Sequence, residues 1–359
     1  MKPLSIDEII LTNFKNYREE SFRLGPRLNL ISGLNGTGKT NLLDSIYYLC
    51  VGKSFFTSSD QKVVTYGENF FRLEGSVTKD GTDHKIVVKV QPGDTKMLLL
   101  DSQPHNRVSD HLGFIPVVIS APKDIELVTG TGQSRRKYVD HLLCQIFPDY
   151  LQSLVAYNHL LSLRNAALKS DFKDLRRVIT TYDEQMAPHA HNIFEKRKWL
   201  TKRISDLLHA NYKMLSDDRE NVNIEYDSKL NTKRYEIIAD MNWEADKATQ
   251  RTNAGIHKDD FDLSIKNMGA KEYASQGQIK SLIFALHLSK SRILAEQREF
   301  KPLLIFDDIF DKLDENRLAR LMEILMQEEF GQVLLSDTNR RRVGNFVASS
   351  YLTEIEMPQ

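Results

Sequence analysis

The most diagnostic segment of this 359-residue chain is Gly33-Leu34-Asn35-Gly36-Thr37-Gly38-Lys39-Thr40. It matches in full the pattern G-x-x-x-x-G-K-[ST], in which a glycine-rich loop cradles phosphate groups. The run Leu28 to Ile31 before it predicts a short buried strand, and the amphipathic stretch Asn41 to Leu49 after it predicts a helix. Strand, loop and helix come in the order that a phosphate-binding loop needs, so the sequence predicts an α/β fold around a nucleotide site.

The residue types of this loop suit a triphosphate. The glycines let the backbone bend so that successive N–H groups point at phosphate oxygens, and the helix that follows adds its dipole. Lys39 is expected to reach the β- and γ-phosphates, and Thr40 to place its hydroxyl on Mg²⁺. The predicted nucleotide contacts are Gly33, Leu34, Asn35, Gly36, Thr37, Gly38, Lys39, Thr40 and Asn41.

Far downstream, a second apolar run ends in two carboxylates. The run Leu303 to Phe306 follows Pro302 and predicts a strand, and Asp307-Asp308 comes directly after it. We expect Asp307 to serve as a Mg²⁺ ligand through water, because Mg²⁺ keeps several of its waters. Asp308 is the candidate general base or water-positioning group. Alone, the pair could be an acidic turn, but a phosphate-binding loop in the same chain favours the functional interpretation.

Between these two motifs, Ser275-Gln276-Gly277-Gln278 opens a stretch with helical periodicity that runs to Arg298. Ser275 stands at the predicted N-cap, and Gly277 leaves the helix start open to a close approach. A helix N-terminus with an exposed hydroxyl can bind an anion. In isolation the segment would predict an ordinary capped helix, but its position just before the acidic strand favours a nucleotide contact.

This order of elements is similar to that of ABC-type ATPases. In those enzymes the serine–glycine helix start contacts the γ-phosphate bound by the other subunit, so the resemblance implies that Ser275, Gln276, Gly277 and Gln278 act on a second copy of the chain. The implied catalytic residues are Lys39, Ser275 and Asp308. A glutamate is usual where Asp308 stands. Because aspartate is shorter by one methylene group, we expect slow ATP hydrolysis that works as a switch.

Over nearly its whole length, the chain resembles the RecF family of recombination mediators, whose fold belongs with the SMC-type ABC ATPases. Besides the motifs above, the resemblance rests on segments 11–17, 41–49, 52–55, 121–127 and 134–136, on Tyr157-Asn158, Arg164-Asn165 and 255–260, and on Leu313-Asp314. The chain departs from the family pattern at four positions, where arginine, proline, proline and arginine are usual. These are Phe56, Gly132, Ile256 and Lys258.

The resemblance implies an ATP-dependent DNA-binding protein of replication and recombinational repair, active in the DNA-damage (SOS) response. Its implied cofactors are ATP and Mg²⁺. Its implied partners are double-stranded, gapped or junction DNA, RecR, and a second copy of the chain in an ATP-dependent homodimer. ATP-driven dimerisation would clamp DNA at single-strand gaps and help to load RecA, and slow hydrolysis would release the clamp.

Composition fits a cytoplasmic protein without a membrane segment. The hydrophobic runs are short and interrupted by charges, and the N-terminus lacks an apolar signal core. Cys50 and Cys144 lie in apolar sequence and predict buried, reduced thiols. The 49 Lys and Arg balance the 49 Asp and Glu, which counts against a uniformly basic surface but allows a local DNA-binding patch. The candidate patches are Arg135-Arg136-Lys137, Lys196-Arg197-Lys198 with Lys202-Arg203, and Arg340-Arg341-Arg342.

The pattern along the chain predicts an ATPase head with a mixed sheet and an inserted compact helical lobe. The N-terminal part of the head is assigned to residues 1–148, the lobe to 149–220, and the C-terminal part of the head to 221–359. Residues 1–148 are expected to mix short strands and turns, and the helices of the lobe to break near Pro188. The lobe is too short for the long coiled coil of SMC proteins.

The sequence alone leaves the roles of three smaller features open. The segment 255–260 could resemble a metal or hydrolytic site, but His257 and Asp259 are better explained as hydrogen-bonding loop residues. Asp314 could sense the opposite head, as in the family, or could cap the predicted helix Glu315 to Met326. Asp337 or Thr338 occupies the switch position after the strand Val333 to Leu335, as a sensor by analogy only.

Three other functions compete with the RecF-like one. A transporter ATPase subunit would share the nucleotide motifs but should lack the inserted lobe. A P-loop kinase or GTPase would use one site in cis and would not need Ser275. An ABC-type defence protein with nuclease activity would need a carboxylate-rich nuclease domain, and only a short tail follows Arg342.

Overall fold

The computed structural model describes residues 1–94, 96–105, 107–216, 220–308, 315–327, 330–339, 346–347 and 349–358. The chain divides into two compact units. The first consists of Met1–Asp124, Met214–Asp218 and Phe284–Gln359, and the second of Ile125–Lys213 and Arg219–Ile283. None of the described helices combines the length and the apolarity that crossing a bilayer requires.

The described strands and helices follow one another in a mixed α/β order. In chain order they are β1 (Leu4–Phe14), β2 (Tyr17–Arg23), β3 (Leu28–Ser32), α1 (Lys39–Val51), β4 (Phe71–Lys79), β5 (Thr82–Val90), β6 (Met97–Leu100), β7 (Gln103–Pro104), β8 (Val117–Ser120), α2 (Glu126–Thr129), α3 (Gly132–Ile146), α4 (Pro148–Leu168), α5 (Leu175–Leu215), β9 (Val222–Asp227), α6 (Tyr235–Met241), α7 (Trp243–Thr249), β10 (Asp260–Ile265), β11 (Met268–Gly269), α8 (Ala270–Tyr273), α9 (Gln276–Arg298), β12 (Leu303–Phe306), α10 (Glu315–Leu325), β13 (Val333–Asp337) and β14 (Leu352–Glu356).

The described residues of the first unit form two sheets. One is antiparallel, with the strand order β2-β1-β4-β5-β6-β7, and the other is parallel, with the order β14-β3-β13-β12-β8. Every residue of β3, β8, β12 and β13 is buried, which explains why apolar residues predominate in their sequences. Side chains of α1 share one hydrophobic core with side chains of both sheets. This core fixes where the loop between β3 and α1 lies.

The parallel order brings distant segments of sequence to one edge. Strand β13 pairs with β3 on one side and with β12 on the other. The loop after β3, the acidic pair after β12 and the end of β13 therefore lie beside one another at the carboxyl ends of the strands, where open α/β sheets bind ligands. The α/β ATPase-head fold that the sequence predicts is confirmed.

The second unit combines helices α2 to α8 with the three-stranded antiparallel sheet β11-β10-β9. Helix α3 packs against α4 and against β10. Two arginines, Arg164 and Arg197, are each only 1% exposed and form ion pairs inside this unit. Buried charges of this kind need several fixed partners, so they tie the helices to the segment that leads into β10.

Two predictions of secondary structure were wrong. Residues 126–146 form α2 and α3 rather than strands and turns, because Tyr138, Val139, Leu142 and Ile146 recur at helical spacing and bury one face. Helix α5 continues through Pro188, which is exposed, while residues on both sides of it, such as Met186 and Ala190, stay buried. Burial along the opposite face thus keeps the helix intact despite the missing N–H.

The boundaries of the two units differ from those of the three predicted segments. The boundary after residue 148 falls inside the second unit, directly after the first residue of α4, which packs against α3. Strands β9 and β10, which the sequence pattern assigns to the head, pair with each other in the second unit. The division into separate domains stays a prediction. Cys50 is buried as expected, but Cys144 is partly exposed.

Candidate nucleotide-binding site

The glycine-rich loop has a backbone conformation that its glycines make possible. Gly36 has φ 85° and Gly38 has φ 108°, in the region that side-chain-bearing residues rarely adopt. A Cβ atom at Gly38 would lie 2.6 Å from the hydroxyl oxygen of Tyr17 and 2.7 Å from Nδ2 of Asn16. Glycine is therefore required at position 38, both for conformation and for space.

Lys39 lies folded over the loop that precedes it. Its Nζ donates to the backbone oxygens of Gly33 at 2.7 Å and Leu34 at 2.8 Å, and the residue is 8% exposed. The cation is thus held where the phosphate groups of a nucleotide would meet the loop, together with the first N–H groups of α1.

Thr40 and Asp307 are brought together from opposite ends of the chain. The Thr40 hydroxyl lies 3.0 Å from both carboxylate oxygens of Asp307. Asp307 is 4% exposed, and this burial raises the pKa of its carboxyl group, while the hydroxyls of Ser336 and Thr40 oppose the shift. A hydroxyl and a buried carboxylate side by side are oxygen ligands of the kind that Mg²⁺ prefers.

Asp308 follows Asp307 at the end of β12, and its side chain is exposed to solvent. Its φ of 47° lies in the left-handed region, and its backbone N–H donates to the Ser336 hydroxyl oxygen at 2.8 Å. The Ser336 hydroxyl in turn donates to Oδ1 of Asp307 at 2.8 Å. One fully buried hydroxyl therefore connects the two acidic residues, so that the backbone of Asp308 is held in place while its side chain stays exposed.

These groups surround a pocket of about 170 Å³. Its walls contain most of the predicted loop contacts and both members of the acidic pair, namely Asn35, Gly36, Gly38, Lys39, Thr40, Asn41, Asp307, Asp308 and Ser336. Leu34 is 63% exposed beside the loop, and the Thr37 hydroxyl donates to the Leu34 backbone oxygen at 2.9 Å. The pocket thus brings together one lysine, two hydroxyls and two carboxylates at a glycine-rich loop of the phosphate-binding type.

The predicted second half of the site, Ser275 to Gln278, begins α9 in the second unit and does not line this pocket. Ser275 is the N-cap residue, as predicted. Its hydroxyl oxygen accepts the Gln278 N–H at 3.3 Å, and the Gln278 Oε1 accepts the Ser275 N–H at 2.7 Å. This reciprocal pair is a capping box. Ser275 and Gln276 are exposed, so the helix start is accessible to a ligand.

Sequence reasoning misses three residues of the site. It favours Asp337 and Thr338 over Ser336, and the sensor role of those two residues stays a prediction. Tyr17 donates its hydroxyl proton to the Gly38 backbone oxygen at 3.0 Å, and Asn16 accepts from Nδ2 of Asn41 at 2.7 Å. Their polar side chains next to the turn after β1 are the available signal, but only the fold shows that this turn touches the loop.

The segment 255–260 is structural rather than catalytic. His257 lies between the backbone oxygen of Thr252 at 3.1 Å and the hydroxyl of Tyr157 at 2.9 Å, and its burial lowers the pKa of the ring to about 4. The neutral ring therefore donates from Nε2 and accepts at Nδ1, which leaves no nitrogen for a metal. Among the described residues, His, Cys, Asp and Glu form no cluster of three or more that could hold a metal ion.

Several cations of the predicted basic patches bind acceptors within the second unit. Arg135 pairs with Asp260 at 2.7 Å, Arg136 donates to the backbone oxygen of Asp259, and Arg197 is buried. The exposed lysines of these patches are Lys137, Lys198 and Lys202. Arg340-Arg341-Arg342 and Leu313-Asp314 lie outside the described residues.

The four departures from the family pattern lie in different environments. Ile256 is 1% exposed, and Gly132 begins α3. Lys258 is exposed. Phe56 is 38% exposed, and Nζ of Lys15 lies 5.3 Å from the centroid of its ring, so a cation already covers this position.

The sequence of this chain is similar to those of one protein family. The family model described as RecF/RecN/SMC N terminal domain matches residues 5–111. The DNA replication and repair protein RecF of Flavobacterium johnsoniae is 35% identical over 98% of both chains. That of Cytophaga hutchinsonii is 36% identical over 96% of this chain and 92% of its own length.

Solved structures lead to the same family. The recombination mediator protein RecF-ATPrS in the RecFOR pathway aligns with a TM-score of 0.86 and 28% identity, over 95% of this chain and 94% of that one. The Smc head domain from Pyrococcus furiosus aligns with a TM-score of 0.56 and 14% identity, over 99% and 94%, and shows the shared fold alone. By its sequence along almost the entire length and by its fold, this chain belongs to the RecF family.

Proposed function

We propose that this chain is an ATP-dependent DNA-binding protein of RecF type, in which ATP joins two copies and slow hydrolysis separates them. The observation that carries the proposal is the array at the edge of the parallel sheet, where Thr40, Asp307 and Asp308 meet around the loop that holds Lys39. ATP as the ligand is supported by the solved RecF–ATP structure, to which this chain aligns with a TM-score of 0.85 and 27% identity.

Thr40 and Asp307 would hold Mg²⁺ if it enters with the nucleotide. Their oxygens lie 3.0 Å apart, and the buried carboxylate of Asp307 would gain a compensating charge. The metal would neutralise charge on the phosphates. Lys39 and the loop N–H groups bind the β- and γ-phosphates, and Asp308 accepts a proton from the attacking water or orients that water.

Ser275 of a second copy would complete the site. It is exposed at the start of a helix of 23 residues, so its hydroxyl and the helix dipole can both meet an anion. Contact with the γ-phosphate would make ATP part of the interface between the copies. Hydrolysis would remove that contact, and the copies would separate. The affinity of ATP for the joined state must exceed that for the separate state, or no dimer forms.

DNA, RecR and RecA enter the proposal through the family. The relatives are named for DNA replication and repair, and the solved recombination mediator belongs to the RecFOR pathway. Joining two copies would bring two basic surfaces to one DNA duplex, with Lys137, Lys198 and Lys202 as candidate contacts. The proposed complex binds gapped or junction DNA, acts with RecR and helps to load RecA.

The first test is the mass of the protein in solution, measured by light scattering without nucleotide and with ATP–Mg²⁺. We expect the mass of the wild type to double with ATP and that of Ser275→Arg to stay unchanged, since the bulky cation blocks the γ-phosphate contact. Lys39→Ala, which weakens nucleotide binding, is the control for ATP dependence. The anisotropy of a labelled gapped duplex in the same samples reports DNA binding.

An unchanged wild-type mass with ATP bound would contradict ATP-driven dimerisation, and would favour a DNA-dependent dimer or an enzyme that acts in cis. Dimerisation of Ser275→Arg at wild-type ATP concentrations would show that the α9 start does not contact the nucleotide of the partner copy.

Ser336 should control turnover more than binding. Replacing it with Ala removes the hydroxyl that donates to Asp307 and accepts from the Asp308 N–H. Loss of a hydrogen bond to a charged group costs about 1.5–3 kcal/mol, so we expect kcat to fall roughly 10- to 100-fold. ATP affinity should change much less, because Lys39 and the loop are untouched. Ser336→Thr, which keeps the hydroxyl, is the matched control, and a wild-type kcat in Ser336→Ala would exclude this role.

A further inference from the structure

The side-chain amide of Gln278 is held at both ends. Its Oε1 accepts the backbone N–H of Ser275 at 2.7 Å, and its Nε2 donates to Oε1 of Glu220 at 2.7 Å. A flipped amide would place its NH₂ against a donor and its oxygen against a carboxylate. Glu220 therefore selects the one amide orientation that completes the capping box at Ser275.

Glu220 is itself fixed by two further donors. The hydroxyl of Tyr212, a residue 1% exposed at the end of α5, donates to Oε2 at 2.7 Å, and Nζ of Lys266 lies 3.2 Å from Oε1. The Glu220 side chain is 18% exposed. Partial burial raises the pKa of this carboxyl group, but the three hydrogen bonds outweigh that effect and the net shift is downward. The group is thus a charged acceptor in a fixed place.

The hydrogen bonds of the capping box determine which Ser275 group can donate to an anion. Its oxygen accepts the Gln278 N–H at 3.3 Å, so its own proton remains available to donate to an anion. The Ser275 N–H, by contrast, is already bound by Gln278. If the Gln278 amide rotated away, this N–H would be released and the N-cap would lose one of its two reciprocal bonds.

We propose that Glu220 is a positioning residue for the γ-phosphate contact of Ser275, and that it acts through the side-chain amide of Gln278. This inference rests on the proposed function, in which Ser275 contacts ATP held by a second copy. In this scheme Glu220 contacts neither the nucleotide nor the attacking water. Its effect is to hold the start of α9 in the one arrangement that presents the hydroxyl proton.

The test measures ATP-dependent dimerisation of the full chain by light scattering across protein concentrations, with ATP affinity of the monomer and Tm measured beside it. Glu220→Ala should weaken ATP-dependent dimerisation about tenfold or more, the effect of one charge-assisted hydrogen bond. The ATP affinity of the monomer should stay within about twofold, because the loop at Lys39 lies outside this cluster. A merely structural role would instead lower Tm without a selective loss of dimerisation.

Further variants separate the possible causes. Glu220→Gln keeps an oxygen that accepts from Gln278 and should recover most of the wild-type dimerisation. If Glu220→Ala fails to fold, Glu220→Leu, which keeps side-chain bulk but cannot accept from Gln278, takes its place and should show the same selective loss of dimerisation. Lys266→Gln removes the ion pair but keeps the Tyr212 and Gln278 hydrogen bonds to Glu220, so it should weaken dimerisation less than Glu220→Ala does. In the background of Gln278→Ala, Glu220→Ala should add no further loss, since its effect is transmitted through that amide.

Two results would overturn the inference while leaving the proposed function intact. One is normal dimerisation of both Glu220→Ala and Glu220→Gln when Ser275→Arg fails to dimerise. The other is additive losses from Glu220→Ala and Gln278→Ala in the double variant, which would show that Glu220 acts by another route. Normal dimerisation of Ser275→Arg would instead overturn the proposed function itself, and the inference with it.

Discussion

Asp308→Asn should lower the rate of ATP hydrolysis by about 10²- to 10⁴-fold, the usual contribution of a general base. Asparagine has the size of aspartate but cannot accept the proton of the attacking water. It also tolerates the left-handed backbone conformation that Asp308 adopts at φ 47°. The N–H to Ser336 is a backbone group and is retained. The substitution therefore removes the carboxylate without moving the chain.

Binding should behave differently from turnover in this variant. Lys39, Thr40 and Asp307 are unchanged, so ATP affinity should stay near the wild-type value. If hydrolysis separates the copies, the ATP-bound dimer of Asp308→Asn should persist for much longer than that of the wild type. Single-turnover phosphate release and the time course of the solution mass after ATP addition measure the two effects.

Asp307→Asn is the matched control, because it changes the neighbouring carboxylate that the Thr40 and Ser336 hydroxyls contact. We expect it to impair Mg²⁺-dependent nucleotide binding as well as turnover. A wild-type rate in Asp308→Asn would show that the proton is accepted elsewhere. Equal losses of binding and turnover in both variants would show that the two carboxylates share one role.

The two strands that carry the nucleotide motifs could be predicted because each is buried on both faces. Strand β12 is a continuous apolar run, β3 is apolar except for Asn29 and Ser32, and each ends at a motif with a distinctive composition. Strand β14 was missed for the opposite reason. It lies at the edge of the parallel sheet, is only partly buried, and contains Glu354 and Glu356. Its sequence lacks the apolar pattern that identifies a strand.

The order of the strands was beyond sequence reasoning. Pairing of β13 with both β3 and β12 places Ser336 between the two acidic residues and the loop, yet this pairing depends on packing of the whole sheet. For the same reason, the contact between Tyr17 and Gly38 could not be anticipated. The motifs identified the chemistry, whereas the fold identified the residues that hold the chemistry in place.

Runs of charge were the least reliable signal. The sequence Lys196-Arg197-Lys198 suggested a DNA-binding patch, but consecutive residues of a helix point in different directions. Arg197 is 1% exposed, whereas Lys198 is exposed. A charge run therefore shows that some of its members face water, and burial of the others appears only in the structure.

Arg197→Ala should destabilise the fold more than any substitution at the nucleotide site, with an expected loss of about 3–5 kcal/mol, the range found when one partner of a buried ion pair is removed. The Arg197 guanidinium donates to the backbone oxygen of Ile256 at 2.7 Å and lies 3.0 Å from the Asp140 carboxylate and 3.5 Å from that of Asp259. Truncation would remove the cation from the buried Ile256 oxygen and Asp259 carboxylate and from the partly buried Asp140 carboxylate, although hydroxyls of Tyr226 and Tyr150 still donate to the two carboxylates. Urea unfolding of the full chain measures the change.

The control is Lys198→Ala, an exposed neighbour on the same helix, which should change stability by no more than about 0.5 kcal/mol. If Arg197 contacted DNA instead, its loss would weaken DNA binding and leave the urea midpoint unchanged. The two interpretations of the same charge run therefore predict opposite results for this pair of variants.

The pH dependence of the stability loss in Arg197→Ala tests the role of the buried ion pair independently. Burial already raises the pKa of Asp259 in the wild type, and the nearby Arg197 cation opposes that shift. Without Arg197 the pKa should rise further, so the folded variant keeps the Asp259 proton to a higher pH than the unfolded chain does. A group whose pKa is raised by folding costs stability as pH increases through that range. The deficit of Arg197→Ala should therefore be smaller at pH 5 than at pH 7, whereas a deficit caused only by lost packing would be the same at both.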